Sequence, residues 1–327
     1  MKKAIYINVM GGTGLNISLT HVLEEAKSVY NKVAVMSPYF DIFECCEFVD
    51  VVYKPNEGRD FIFDAKEEDA EIVTTRLYDL NDFIYKRLNY EDAWRQLLHL
   101  KPRKNSGKAG EKTYFIDPSK KFSNTVQLKD SIIEHITKKG FEDFILVQFH
   151  GGQSPLVQVP TNEEGKLDWD KIPYSVENEP LQRHYPNEKA QEFINLYHNA
   201  HPTTAIINYS LPNEPQYENT EQFIAPYLVY SLLSKDDKCK GFVSIDSSLQ
   251  HLISGNTKGV VIWGHSLPEA FGYECNNNII QKCRRDDILY MSLLGPSSAK
   301  IKYIEPEDLL KEVEETIENN GVSVDSE

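Results

Sequence analysis

Residues 241–252 carry the side chains of this chain that are best suited to chemistry. The segment reads GFVSIDSSLQHL, so an apolar run ends at Asp246, Ser247 and Ser248 follow, and His251 lies four residues after Ser247. An Asp or Ser at such a junction can cap a helix, because its side-chain oxygen accepts a hydrogen bond from a first-turn N–H. The other N–H groups of that turn favour an anion. We expect a strand-to-helix junction that holds a diphosphate; the alternative is a capped helix with a half-buried histidine.

Two glycine turns also follow apolar runs. Residues 11–14 read GGTG after the run at 4–9, and residues 151–152 read GG after the run at 144–149. Glycines allow backbone N–H groups to approach a phosphate or a sugar closely, because no Cβ intervenes. Ligands of open α/β sheets collect at the carboxyl ends of strands. The two turns therefore predict a ligand held between two domains.

Strands alternate with helices along the chain, which predicts parallel sheets. The expected strands are residues 4–9, 32–36, 48–52, 144–149, 204–208, 241–245 and 259–263. The expected helices cover residues 17–29, 78–100, 128–139, 187–199, 221–233 and 305–318, with another that begins at Asp246. We predict an α/β protein with doubly wound domains at residues 1–140 and 141–304, followed by an acidic helix and tail at 305–327.

Length and composition restrict the class of protein. A chain of 327 residues is too long for one ordinary core and suits two domains. With 35 basic and 50 acidic residues the net charge is −15, which argues against broad nucleic-acid binding. The five cysteines form no C-x-x-C or zinc spacing, and reduced thiols in a cytoplasmic protein are the expectation. No secretory signal or membrane-spanning stretch is evident.

The first glycine turn also invites a dinucleotide-binding interpretation. The second strand ends in AVMSP at residues 34–38, without the acidic residue that would bind a ribose hydroxyl. The chain has no Gly-Lys-Ser/Thr sequence, which a P-loop would need. An NAD(P)-binding oxidoreductase is therefore the least favoured of the functional interpretations.

The order of these motifs resembles glycosyltransferase family 9, the heptosyltransferase-like enzymes that build bacterial surface polysaccharide. The resemblance extends over most of the chain and rests on residues 4–14, 30–35, 48–53, 149–152, 183–186, 246–252, 260–268 and 304–307. Residues 246–252 resemble the family's Asp-Ser/Thr-Gly-x-x-His-Leu donor motif, and residues 183–186 (RHYP) stand at its Lys-x-Trp-Pro segment. The resemblance implies a GT-B-like fold, in which two Rossmann-like domains face a cleft.

The resemblance also implies roles for individual residues. Asp246, Ser247 and His251 would contact the nucleotide diphosphate of a sugar donor, with the backbone of Ser248 at the phosphates. Arg183 would neutralise the leaving diphosphate. The donor side would further include Gly151, Gly152, Glu214 and Gly264, and the acceptor-side loop would consist of Gly11, Gly12, Thr13, Gly14 and Asn16. The resemblance implies a nucleotide-sugar donor, a glycan or related acceptor, peripheral contact with a membrane-borne acceptor, and no metal or other cofactor.

This chain departs from the family pattern where the family places its catalytic base. The family's glycine turn continues Gly-Asp, whereas this chain reads Gly14-Leu15-Asn16. A leucine cannot accept a proton, and an amide has no useful basicity. Three explanations stay open: another carboxylate such as Asp41 or Glu44 in the next strand-to-helix loop is the base, the chemistry differs, or the protein binds a nucleotide or sugar without catalysis.

The chain shows two smaller departures from the family pattern, and two further polar segments have functional interpretations. Ser248 replaces a motif glycine, and Tyr185 replaces a tryptophan. Residues 101–112 form a basic loop, interpreted as a linker or as a mobile loop that attracts anions. Residues 168–170 read DWD, like the metal site of other glycosyltransferases, and a solvated loop is the preferred interpretation.

Overall fold

The computed structural model describes residues 3–74, 77–80, 83, 88–106, 108–111, 116–151, 184–210, 214–264, 266–281 and 302–318. Within this part of the chain, the strands are β1 (Ile5–Asn8), β2 (Val33–Met36), β3 (Val51–Tyr53), β4 (Glu71–Val73), β5 (Asp143–Gln148), β6 (Thr204–Asn208), β7 (Glu221–Gln222), β8 (Cys239–Ile245), β9 (Gly259–Trp263) and β10 (Asn277–Ile280).

The α-helices are α1 (Thr13–Thr20), α2 (Leu23–Val29), α3 (Phe40–Glu44), α4 (Gly58–Glu67), α5 (Tyr90–Leu97), α6 (Ser123–Lys138), α7 (Asn187–Ala200), α8 (Tyr227–Leu233), α9 (Ser248–Ile253), α10 (Pro268–Phe271) and α11 (Pro306–Glu318). Short 3-10 turns lie at Pro55–Glu57, Leu77–Asp79 and Pro118–Lys120. None of the described helices combines the length and the apolar character needed to cross a bilayer.

The chain divides into two compact units. One comprises Met1–Val126 with Pro268–Cys275, and the other comprises Gln127–Leu267 with Asn276–Glu327. Residues 268–275 belong to the first unit because backbone bonds join them to it: Gly110 N–H donates to the Gly272 carbonyl at 2.8 Å, and Glu274 N–H donates to the Gly110 carbonyl at 3.1 Å. The domain limits expected at residues 140 and 304 remain predictions.

The first unit contains a parallel sheet in the order β3-β2-β1-β4. The chain starts at β1, proceeds outward to β2 and β3, and then returns to the other side of β1 for β4. Tyr6, Ala34 and Tyr53 lie on one face of the sheet and pack with Phe61 and Ala65 of α4. Because the chain changes direction at β1, the loop after β1 lies where ligands of such sheets usually bind.

The second unit contains a six-stranded parallel sheet in the order β10-β9-β8-β5-β6-β7. Here the chain starts at β5, places β6 on one side and later places β8 on the other. The central strands are buried, as expected for a parallel sheet covered on both faces. Helices α7 and α11 cover one face through Phe193, Ile194, Leu309 and Val313. The reversal point of this sheet therefore lies between the carboxyl ends of β5 and β8.

The two doubly wound parallel sheets confirm the predicted α/β class. Several element limits were wrong. The predicted helix at 221–233 begins instead as β7, and α8 starts only after Pro226, because a proline disfavours helical geometry at the residue before it. The single helix expected at 17–29 is interrupted, since N–H groups at His21 and Val22 bond three residues back.

Other elements differ for reasons that periodicity does not reveal. In the predicted helix at 78–100, the described residues show a 3-10 turn and then α5. Helix α4 and strands β4 and β10 were not predicted. Strand β10 begins with two asparagines, which disfavour strands, but it is held in the sheet by β9 and by the bond from Trp263 Nε1 to Asn278 Oδ1 at 2.8 Å.

Gly259 sets the packing between β8 and β9. It lies opposite Phe242, and a Cβ at this position would lie 2.2 Å from Phe242 Cδ1. We expect Gly259→Ala to lower the free energy of unfolding of the second unit by about 1–3 kcal/mol, because the aromatic ring must move within a packed core. Urea unfolding measures this loss. The loss should be smaller in a Phe242→Leu background, and an equal loss in both backgrounds would contradict the proposed clash.

Candidate functional site

The loops after β5 and β8 touch at the reversal point of the second sheet. Gln148 and Ser244 are paired near the ends of these parallel strands, so the residues that follow lie at the same edge. A Cβ on Gly151 would lie 2.3 Å from Ser247 Oγ and 3.0 Å from Ser247 Cβ. Glycine at position 151 thus permits the two loops to approach each other, which brings two of the predicted donor-side residues together.

The loop after β9 is joined to this edge by Asp246. Its carboxylate accepts a hydrogen bond from the hydroxyl of Ser266, and both side chains are buried. Gly264, which directly follows β9, is also buried. A hydrogen bond to a carboxylate is among the stronger ones in proteins. Asp246 therefore fixes the β8 and β9 loops relative to each other.

The start of α9 differs from the sequence expectation. Ser247 is the N-cap residue, but its side chain makes no capping bond, and the Asp246 carboxylate bonds to Ser266. The first-turn N–H of Leu249 instead donates to Oε1 of Gln148, on β5, at 3.1 Å. Ser247 thus stands at the predicted N-cap position, but the predicted bond from its side chain is not made, because a side chain from the neighbouring strand provides the acceptor.

The remaining residues of the donor motif lie in α9. Ser248 is half-buried at the first helical position. His251 is buried, and its Nε2 lies 3.2 Å from the amide nitrogen of Gln250. A donor contact by His251 stays a prediction.

Two histidines that had no assigned role lie beside Gly151. His150 Nδ1 lies 2.9 Å from His184 Nδ1, His150 Nε2 lies 2.5 Å from Asn187 Oδ1, and His184 Nε2 lies 2.6 Å from the Gly151 carbonyl oxygen. His150 is the second residue after β5, and it is buried. The sequence signal was their position: His150 follows a buried strand, and His184 precedes the Tyr185-Pro186 pair that leads into α7.

Glu214 lies next to the same cluster. Glu214 is buried. The pKa of the Tyr217 hydroxyl is raised, first by burial of Tyr217 and then by the charge of the Glu214 carboxylate. That hydroxyl donates to Asn187 Oδ1 at 3.3 Å, and the rings of Tyr217 and His150 are 6.3 Å apart between centroids. Arg183 and Gly152, also expected on the donor side, lie outside the described residues.

The glycine turn of the first unit is held by its own backbone geometry. Gly11 has φ +144°, and a Cβ there would lie 2.5 Å from Leu15 Cδ2, so only glycine fits. Gly12 is exposed and caps α1, in which Thr13 and Gly14 are half-buried.

Asn16 has a structural task in this turn. Its Nδ2 donates to the Gly12 carbonyl at 2.9 Å, and its Oδ1 accepts from Ser37 Oγ at 2.5 Å. Ser37 follows β2, so Asn16 links the turn after β1 to the loop after β2. Both side chains are buried. Asn16 therefore supports the acceptor-side loop from within.

The two candidates for the missing base do not lie in a loop. Asp41 and Glu44 both belong to α3, which corrects the expectation that they precede a helix. Asp41 is partly exposed, and its Oδ1 accepts from Ile42 N–H at 3.1 Å. Leu15 is buried. Because α3 follows β2, Asp41 lies at the same edge of the first sheet as the glycine turn.

The basic loop after α5 is anchored. Arg103 is buried and forms a two-pronged ion pair with Asp92, with both N···O distances at 2.9 Å. It also donates to the carbonyls of Lys108 and Ala109 at 3.0 Å and 3.2 Å. Only part of this loop's basic charge therefore faces solvent.

Within the described ranges, no group of three or more His, Cys, Asp or Glu side chains is arranged to hold a metal ion. Residues 168–170, the sequence's formal metal motif, lie outside those ranges.

Comparison with known proteins identifies the fold. No protein-family model matches the chain, and no curated protein matches its sequence. Two solved structures match over 98% of this chain with a TM-score of 0.62 each: the ADP-heptose LPS heptosyltransferase II of E. coli (11% identity, 100% of its chain) and a family 9 glycosyl transferase of Veillonella parvula DSM 2008 (12% identity, 99% of its chain). The E. coli heptosyltransferase WaaC with ADP matches over 96% of this chain and 99% of its own, with a TM-score of 0.52 and 11% identity.

The chain has the heptosyltransferase fold. The GT-B-like class expected from the sequence is thereby confirmed. At 11–12% identity, the likeness establishes architecture.

The cap of α9 provides a test of this site's construction. Gln148→Leu removes the acceptor of the Leu249 N–H, and we expect the free energy of unfolding to fall by about 1–2 kcal/mol. Ser247→Ala, the matched control, should cost less than about 0.5 kcal/mol, because its hydroxyl makes no capping bond. Urea unfolding of both variants decides between the two caps. A larger loss in Ser247→Ala would show that the serine caps the helix.

Proposed function

We propose that this protein is a glycosyltransferase that moves a sugar from a nucleotide-diphosphate donor to a glycan or related acceptor without a metal ion. The observation that carries the proposal is the meeting of three loops, after β5, β8 and β9, at the reversal point of the second sheet. The contacts of Gly151 with Ser247 and of Asp246 with Ser266 form this meeting point. One protein of the same fold is the heptosyltransferase WaaC with ADP.

The donor side follows from the chemistry of this edge. The absence of a Cβ at Gly151 lets the β5 loop approach Ser247, which brings polar groups of two loops to one place. Asp246, Ser247 and His251 are proposed donor contacts, with Glu214 at a ribose hydroxyl and Gly264 beside the nucleotide. Arg183 is proposed to neutralise the diphosphate as it leaves, because stabilising that developing charge is the main catalytic task.

The acceptor is proposed to bind at the first unit, beside residues 11–14. In the transfer step, an acceptor hydroxyl oxygen bonds to the sugar's anomeric carbon, and the bond from that carbon to the diphosphate oxygen breaks with its electron pair. The hydroxyl proton goes to a base. Asp41 is the proposed base, because it is a partly exposed carboxylate at the same sheet edge as the turn.

The setting of the reaction is part of the proposal. A cytoplasmic protein would meet nucleotide-sugar donors where they are made, and peripheral contact would bring it to a membrane-borne glycan. Polysaccharide biosynthesis is the corresponding process.

A binding protein without catalysis is the second candidate. It is favoured by Leu15, a buried apolar residue where family 9 places its base, and by Asn16, whose amide is committed to Gly12 and Ser37. Such a protein would bind a nucleotide or nucleotide sugar and leave it unchanged.

Calorimetry with a panel of nucleoside diphosphates and nucleotide sugars tests donor binding. We expect at least one to bind, and Asp246→Asn to weaken that binding about tenfold, because an amide oxygen accepts a weaker hydrogen bond from Ser266 than a carboxylate does. Asp237→Asn is the matched control: it removes the same charge just before the opposite end of β8, and it should leave affinity unchanged. If no member of the panel binds the wild-type protein, both candidate functions fail.

Steady-state kinetics test the base. We expect Asp41→Asn to lower kcat by about 10²-fold or more without changing donor affinity, since the donor is held by the second unit. Glu44→Gln tests the rival carboxylate and should change kcat much less. Full transfer by Asp41→Asn would exclude this residue as the base, whereas donor binding with no transfer or donor hydrolysis by the wild type would favour the binding protein.

A further inference from the structure

The histidine pair beside Gly151 has a hydrogen-bond partner at each of its four ring nitrogens. The outer nitrogens face oxygens: His150 Nε2 lies 2.5 Å from Asn187 Oδ1, and His184 Nε2 lies 2.6 Å from the Gly151 carbonyl. The inner nitrogens face each other at 2.9 Å. These are hydrogen-bond distances, so each contact contains one proton.

The protons of the pair can be counted from these partners. A carbonyl or amide oxygen only accepts, so His150 Nε2 and His184 Nε2 must both donate. The contact between the two Nδ1 atoms needs a third proton. Two neutral imidazoles carry only two protons on nitrogen in total. We infer that His150 and His184 share one additional proton and form a single positive charge at the carboxyl end of β5.

The neighbouring bonds support this assignment. The Gly151 N–H also approaches His184 Nε2, but at 3.4 Å, against 2.6 Å for the carbonyl oxygen. A nitrogen lone pair directed at an oxygen so close would be repulsive, so the carbonyl contact fixes the donor. The Tyr217 hydroxyl donates to the same Asn187 oxygen at 3.3 Å, so this oxygen accepts from two donors.

The surroundings of the pair can sustain a buried charge. Burial opposes the charged form, and charge-assisted hydrogen bonds favour it. The described ionisable groups on the surrounding segments are Tyr185 before α7, Glu188 and Lys189 at its start, Glu214 and Tyr217 in the segment after β6, and Asp246 and His251 after β8. Lys189 is paired with Glu305, and Glu214 and Asp246 are buried carboxylic acids. When ionised, these two carboxylates stabilise a cation nearby.

The charge lies where the proposed donor needs one, and this step rests on the proposed function. His184 is bonded to the Gly151 carbonyl, and Gly151 in turn touches Ser247. Because the ring N–H groups already have partners, the pair acts on a ligand through its field and by holding the Gly151 loop. His150 and His184 are thus positioning residues that favour a diphosphate over an uncharged ligand.

Nitrogen NMR of the ligand-free, ¹⁵N-histidine-labelled full chain tests the charge directly. We expect three of the pair's four ring nitrogens to carry a proton near neutral pH. Resonances are assigned with His150→Gln and His184→Gln. One proton on each ring, which is what a reversed Asn187 amide would produce, overturns the inference. This measurement does not depend on any transferase activity.

Binding of inorganic pyrophosphate tests the role of the charge. We expect His184→Gln, which keeps hydrogen-bonding capacity but cannot be protonated, to weaken binding about tenfold near neutral pH. His201→Gln is the matched control, since His201 pairs with Glu314 at 2.9 Å after the far end of α7. The thermal midpoint shows whether His184→Gln is folded, and the measurement is repeated with His150→Gln. If the folded variants bind pyrophosphate as tightly as the wild type, the pair does not have this role, even if it carries three protons.

The two failures can be told apart. If the pair holds three protons and binds pyrophosphate but no nucleotide sugar is bound or turned over, the anion site stands and the proposed function fails. If nucleotide sugars are transferred while each ring carries one proton, the proposed function stands and this inference fails.

Discussion

The parallel pairing of β5 with β8 is the constraint on which the second unit depends. Their ladder joins Ile145 to Gly241 and continues to Gln148, the last residue of β5, and Ser244, the last but one of β8. Because the chain leaves β5 toward β6 and only later returns to β8, two loops that are about 100 residues apart in sequence meet at one edge. The contact at Gly151 and the cap of α9 both follow from this pairing.

Polar side chains at that edge are buried, and their hydrogen bonds compensate for lost hydration. Asp246 bonds to Ser266, and His150 lies between His184 and Asn187. An unpaired polar group in such a place would cost about 1–3 kcal/mol of stability, as judged from mutational measurements. A network in which each member holds another is rigid, and a rigid polar edge can stabilise a leaving charge without reorganising.

The two sheet edges differ in chemistry although their topology is similar. Around the reversal point of the second sheet lie carboxylates, histidines and hydroxyls. In the first unit, Gly11 and Asn16 hold the turn after β1. The residue between this turn and Asn16 is the buried, apolar Leu15. The fold therefore supplies two comparable places, and the buried ionisable groups named above lie at the second of them, whereas Asp41 and Glu44 at the first are partly exposed. This asymmetry separates the question of donor binding from the question of the base.

The sequence by itself determined the α/β class, the positions of most strands, and the location of the segment 246–252 after β8. These depend on local signals: apolar runs, glycine turns and caps act within a few residues. It did not determine that Gln148 caps α9, that His150 meets His184, or that residues 268–275 join the first unit. Those contacts join segments distant in sequence, and side-chain partners across a sheet edge exist only once strand order and register are fixed.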